Sequence, residues 1–129
     1  MTKLSEEDIG EAIVFRIRRC DGKAHDTLST GPDTHFTIEG GVMLYASGGL
    51  DLRERMLALP HGDQARCHLP RFALNLTMRN REFRMAALCW ECNNISVSEN
   101  GNFSWLAFDA HSTAAVQLLA DINAMLINV

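Results

Sequence analysis

Four residues, Cys89-Trp90-Glu91-Cys92, place two thiols at the spacing used by redox dithiols and by half of a zinc site. A dithiol of the thioredoxin kind needs its first cysteine at a helix N-terminus, where the dipole lowers the thiol pKa. Here a strand leads in, and Asn93-Asn94-Ile95-Ser96-Val97 reads as turn and strand, so no such helix is expected. Zinc needs two further ligands, and the nearest are Cys67, His68 and His61, without a second Cys-x-x-Cys. In a regular hairpin turning at Arg79-Asn80, Met78 faces Arg81, Leu76 faces Phe83, Leu74 faces Met85 and Cys67 faces Cys92. Cys89 then points to the apolar face and Cys67 and Cys92 to the other, so one ion reaches Cys89 and Cys92 together only if the chain bulges at Trp90. Three outcomes stay open: a metal site of Cys67, His68, Cys89 and Cys92, buried inert thiols, and a cross-strand Cys67-Cys92 pair.

Five arginines, Arg66, Arg71, Arg79, Arg81 and Arg84, lie in one stretch with a single acid, Glu82, giving it +4 against -8 for the rest of a chain of net charge -4. That asymmetry fits either a site for an acidic partner or phosphate, or a solvated polar face. The acidic whole argues against general affinity for nucleic acid or anionic lipid. Leu88 and Trp90 share the face of these arginines in the same register, so the sheet is partly apolar on both sides. Trp90, Trp105 and Leu88 are therefore the expected anchors of a homodimer contact, with core packing as the other outcome.

The histidines add little chemistry. His25 and His35 lie near Asp26 and Asp33 in a polar stretch, where metal binding, acid-base work and plain hydration are all open. Asp109, His111 and Ser112 resemble a triad in composition, but capping of a following helix accounts for the first and last. No glycine pair has the spacing of a nucleotide loop.

These residues must be positioned by one small domain, 1–129, with 47% apolar and 22% charged residues. Its longest apolar run, Met85 to Trp90, is far below the roughly 20 residues that a membrane-spanning helix requires. The first residues, Met-Thr-Lys-Leu-Ser-Glu-Glu-Asp, have no apolar signal region, so a cytoplasmic chain with unoxidised cysteines is expected.

Alternation of Ile13, Phe15 and Ile17 with Val14, Arg16 and Arg18 predicts a strand over 12–20. Residues 23–41 read mostly as loop, and 42–46 as a short strand closed by Gly48-Gly49. Asp51 and Glu54 have the spacing of a capping box, Leu52, Met56 and Leu59 share a face, and Pro60 stops the helix, which predicts a short helix over 51–59. Hairpins follow at 70–79/81–91 and, around Asn100-Gly101, at 94–98/103–108. Apolar residues at spacings of three and four from Ala115 to Val129 predict a long C-terminal helix over 111–128. The sum is an α+β domain: an antiparallel sheet of about five strands, covered by the C-terminal helix with the short helix at an edge.

Cys67-His68-Leu69-Pro70-Arg71 with Leu74, followed by Leu88-Cys89-Trp90-Glu91-Cys92, resembles a group of small bacterial proteins of no known activity. In these a C-x-x-P-R segment and a C-[FW]-E-C segment lie on successive strands. They often carry His after the Pro-Arg pair, where this chain has Phe72. The resemblance implies the fold and no mechanism; short proteins of this kind also occur on mobile elements and gene cassettes. No residue set identifies a substrate. The expected function is a non-catalytic binding or oligomerisation module without a cofactor; the alternative is a zinc-binding or thiol-redox protein using Cys67, Cys89 and Cys92.

Overall fold

In β-strands successive side chains alternate between faces, so a sheet built from Val, Ile, Leu and Phe at alternate positions needs a cover on the apolar side. A computed structural model, which describes residues 4–20, 27–31, 34–63 and 67–129, shows an α+β fold that meets this need twice. After a 3-10 turn at Glu6–Asp8 come β1 (Ile9–Arg19), β2 (Thr27–Gly31), β3 (Thr34–Leu44) and α1 (Ala46–Leu57). Then follow β4 (Phe72–Met78), β5 (Phe83–Cys89), β6 (Asn94–Glu99), β7 (Asn102–Ala107) and α2 (Thr113–Met125). Every pairing is antiparallel, in the order β2-β3-β1-β4-β5-β6-β7, and the sheet curls until β2 approaches β6.

One face carries the main core. Val14, Leu74, Leu76, Leu88 and Ile95 from the sheet meet Leu52 and Met56 of α1 and Leu118, Ile122 and Leu126 at α2, all buried. Each such side chain stabilises the fold by about 1.5–3 kcal/mol on burial. Ser112 caps α2, its Oγ accepting from Ala115 N–H at 3.2 Å. Inside the curl a second, smaller cluster gathers Ile17, Phe36, Ala73 and Ala87.

Among the described residues the sheet has seven strands where about five are expected, because 27–31 and 34–44 are paired strands rather than loop. β3 runs straight through Gly40-Gly41, where the Phe15 ring of the neighbouring strand occupies the space a side chain on Gly41 would take. The short helix also begins earlier, at Ala46 with Tyr45 as N-cap, and takes in Gly48-Gly49. Those glycines do not end a strand. A Cβ on Gly49 would strike the Ala12 side chain, so the glycine lets α1 lie directly on β1. α2 ends a little inside its expected bounds, at Thr113–Met125.

The β4–β5 hairpin differs in register. Arg81 N–H donates to Met78 O and Met78 N–H to Glu82 O, both at 2.8 Å, and Arg81 has φ 71°. The loop therefore holds one residue more than a two-residue turn at Arg79-Asn80, so Leu76 faces Arg84, Leu74 faces Ala86 and Phe72 faces Leu88. A shift of one residue exchanges the two faces of β5. Leu88, Ala86 and Arg84 consequently lie on the helix side, and Met85, Ala87 and Cys89 on the other. The Asn100-Gly101 turn is as expected, with φ of 52° and 78°.

Arg84 on the core side needs a counter-charge, and Glu99 of β6, directly opposite, supplies it. Arg84 Nη1 donates to Glu99 Oε2 at 3.3 Å, while Arg53 of α1 donates to Glu99 Oε1 through Nη2 at 2.7 Å and Nε at 3.2 Å. The three side chains are only 9%, 14% and 8% exposed for Arg84, Glu99 and Arg53. Arg55 and Asp121, at 2.8 Å, tie α1 to α2. No helix among the described residues is long and apolar enough to cross a membrane.

Replacing Glu99 by Gln leaves two buried guanidinium groups without their shared carboxylate, and removal of one partner from such a network costs about 3–5 kcal/mol. Urea unfolding of Glu99→Gln is expected to show that loss, whereas a midpoint equal to the parent's would mean that the network carries no stability.

Candidate functional site

Alternation would let a strand present only every second residue to one site, yet Arg16, Ile17, Arg18 and Arg19 at the end of β1 all line a single cleft. The cleft lies where β1 runs past its last pairing with β4, Arg16 with Phe72, so side chains from both faces of the strand reach it. Beside it Arg16 pairs with Gly40 and Ile17 with Ile38, so Glu39 is an extra, bulged residue on β3. β3 adds Phe36 and Glu39 to the wall, the entry to β4 adds Leu69, Pro70, Arg71 and Phe72, and Glu91 and the α2 residues Leu119 and Asn123 close it. The cleft holds about 670 Å³. Ligand pockets usually fall between roughly 300 and 1,000 Å³.

Its charges are unequally engaged. Arg16 donates through Nη1 to Val129 O and through Nη2 to Leu126 O, both at 2.8 Å, so it holds the end of α2 against β1. Arg18 lies 3.8 Å from Glu39, and Arg71 Nη2 is 3.1 Å from Glu91 Oε1; all four of these side chains are solvent-exposed. Arg19 forms no hydrogen bond or ion pair among the described residues.

The adjoining segment 67–70 crosses the mouth of the curl. Cys67 is joined to Cys92 by a disulfide, the cross-strand pair among the three outcomes left open by the sequence, rather than the free thiols expected of a cytoplasmic chain. The Trp90–Asn93 turn, in which Cys92 N–H donates to Cys89 Sγ at 3.1 Å, brings Cys92 back toward the segment. His68 stands edge-on to Trp105 at 4.6 Å and to Phe36 at 6.5 Å between ring centroids. Asn94 Nδ2 donates to Cys67 O at 2.7 Å, which leaves Asn94 Oδ1 to accept from His68 Nδ1–H at 2.6 Å. The neutral ring then accepts from Ser96 Oγ–H at Nε2, 3.2 Å away. Burial lowers the His68 pKa, and the Asn94 hydrogen bond opposes this in part.

The four candidate metal donors are thus near one another but otherwise engaged. Cys67 and Cys92 share their sulfurs, both ring nitrogens of His68 are hydrogen-bonded, and Cys89 is buried beneath the turn. Among the described residues no three His, Cys, Asp or Glu side chains are grouped to hold an ion. The donors in this arrangement do not fit zinc. His61, His35 and His111 are exposed and separate, and His25, Asp26 and Asp33 lie outside the described residues. His111 belongs to the turn before α2, where its N–H donates to Asp109 Oδ1 at 2.9 Å.

The expected contact residues separate. Leu88 is fully buried. Trp90 packs edge-on between Phe72 and Phe108 and donates from Nε1 to Ala115 O at 3.2 Å, locking α2 to the sheet. Both follow from the shifted register of β5. Trp105 is 42% exposed on β7, beside Phe103 at 37%. Of the arginine stretch, only Arg71 lines the cleft; Arg84 is buried, Arg79 and Arg81 are exposed in the hairpin loop, and Arg66 lies outside the described residues. The rest of the cleft comes from Arg16, Arg18, Arg19, Phe36 and Glu39, whose only sequence signal is the basic end of a strand, Arg16-Ile17-Arg18-Arg19. Compared with family models, curated proteins and solved structures, the chain matches none.

Because the folded state holds His68 neutral below its ordinary pKa of about 6.5, the unfolded state binds the proton first as pH falls. The stabilisation is complete above that value and is lost on acidification toward the lower, folded-state pKa. Thermal midpoints are expected to fall between pH 7.5 and pH 5.5, and to fall less in His68→Gln; an equal slope in both proteins would remove His68 from the effect.

Proposed function

We propose that this chain is a non-catalytic binding module and that the cleft between the end of β1, the entry to β4 and α2 receives a small ligand. The observation that carries this reading is the cleft's combination of a buried apolar floor with arginine side chains at its rim. Ile17, Phe36, Pro70 and Phe72 are buried beneath it, while Arg18, Arg19 and Arg71 are exposed around it. A few polar groups over an apolar surface are what orient and hold a small molecule. Its described walls carry no Ser, Cys, Thr, Tyr or His, the usual nucleophiles and proton carriers, and both of its acids face arginines. This supports binding rather than turnover.

A ligand that binds only the folded chain raises its stability by about 2.7 kcal/mol at a hundred times its Kd. A thermal-shift screen of small organic molecules is expected to give saturable increases that disappear in Leu119→Trp, where the larger ring fills the cleft from α2. Increases that survive Leu119→Trp in a folded variant would place the binding site elsewhere and end this assignment.

A second reading, self-association, is favoured by Phe103 and Trp105, exposed on the edge strand β7. Edge strands offer unpaired backbone groups, and aromatic residues anchor interfaces. Light scattering is expected to give a dimer mass that falls to the monomer's in Trp105→Lys; a monomer mass for the parent at high concentration would discard this reading.

A further inference from the structure

We infer that the ligand of this cleft is an amphipathic organic anion, with a compact apolar body and one anionic head group. The inference rests on the cleft being the binding site and adds the class of molecule.

The two halves of the cleft demand different chemistry. Ile17, Phe36 and Phe72, only 1%, 6% and 7% exposed, form with Pro70 a packed floor, and Leu69, 41% exposed, and the half-buried Leu119 leave apolar surface beside it that gains from covering by apolar atoms. Among the described residues around it, Arg16, Arg18, Arg19 and Arg71 stand against Glu39 and Glu91. Glu39 is matched by Arg18 and Glu91 by Arg71, while Arg19 has no partner among the described residues. An exposed ion pair such as that of Arg71 with Glu91 contributes little, so Arg71 can exchange it for a ligand's carboxylate, sulfonate or phosphate at small cost and join Arg19 in binding it. Guanidinium groups present paired donors suited to such oxyanions. Arg16 plays a different part, since both its Nη groups hold backbone carbonyls at the end of α2 and fix the back wall.

A neutral apolar ligand would cover the floor but draw water from the arginines without replacing it. Inorganic phosphate would satisfy the arginines and leave the floor wet. Only a molecule carrying both parts uses the whole cleft.

The test compares two fluorescent probes of the same ring system, anionic 8-anilinonaphthalene-1-sulfonate and neutral N-phenyl-1-naphthylamine, on the full chain. The anionic probe is expected to bind saturably, about tenfold or more tighter than the neutral one, and to weaken by about tenfold or more in Arg19→Ala/Arg71→Ala. The neutral probe is expected to be unaffected by that variant, and Arg79→Ala/Arg81→Ala, in the distant hairpin loop, to leave both probes unchanged. Octanoate should displace the anionic probe where 1-octanol and inorganic phosphate do not. Circular dichroism melts establish that each variant is folded. Equal binding of the two probes, or an anionic probe indifferent to loss of Arg19 and Arg71, would overturn the anionic class while the cleft itself stands, provided that Leu119→Trp still blocks the neutral probe. If neither probe binds, or Leu119→Trp blocks neither, both the class and the cleft assignment fall.

Discussion

One extra residue in the β4–β5 loop decides most of what this protein buries. With Arg81 in the left-handed region, the hairpin closes through Met78 and Glu82, and β5 turns Leu88, Ala86 and Arg84 toward the helices. A two-residue turn would present Met85 and Cys89 there instead. From the observed register it follows that Arg84 enters the core side opposite Glu99, that Arg53 of α1 completes the charge cluster, and that Trp90 locks against α2. The buried ions are thus a consequence of register. They also tie α1, β5 and β6 together at one point, because Glu99 accepts from both arginines.

The opposite face answers a different constraint. A sheet that curls far enough for β2 to approach β6 must fill its interior and cover its mouth. Ile17, Phe36, Ala73 and Ala87 fill part of it, and the small alanines let the curl tighten. The polar side chains of Asn94 and Ser96 are buried there too, and His68 reaches across to both of them. Fixed at one end by the Cys67–Cys92 disulfide, this crossing segment delivers Leu69, Pro70 and Arg71 to the cleft. The cleft is the place where three irregularities meet: the β1/β3 bulge, the crossing segment and the docked end of α2. Regular structure surrounds it, and its shape comes from where that regularity stops.

Much was legible in advance wherever a residue pattern depends on one local period. The three-and-four spacing from Ala115 predicts α2, the alternation from Phe72 predicts β4, and Asn100-Gly101 predicts the second hairpin; all three are present. The α+β class follows from these elements. By contrast, glycines mislead when their role is spacing. Gly49 permits contact with Ala12 inside a helix, and Gly41 makes room for Phe15 inside a strand, but in sequence both pairs read as breaks. The cleft was largely hidden, because Arg16, Arg18 and Arg19 meet Arg71 only through the long-range pairing of β1 with the entry to β4, which no local spacing announces.

By itself, then, the amino-acid sequence determined the class of fold and the amphipathic elements, since these depend on short-range periodicity. Tertiary structure alone decided which face of β5 is buried, how far the sheet curls, and which arginines share a site. Those outcomes rest on loop length, on register shifts between strands and on the close approach of distant backbones, small geometric choices that reverse faces or join remote strands while leaving the hydrophobic pattern almost unchanged.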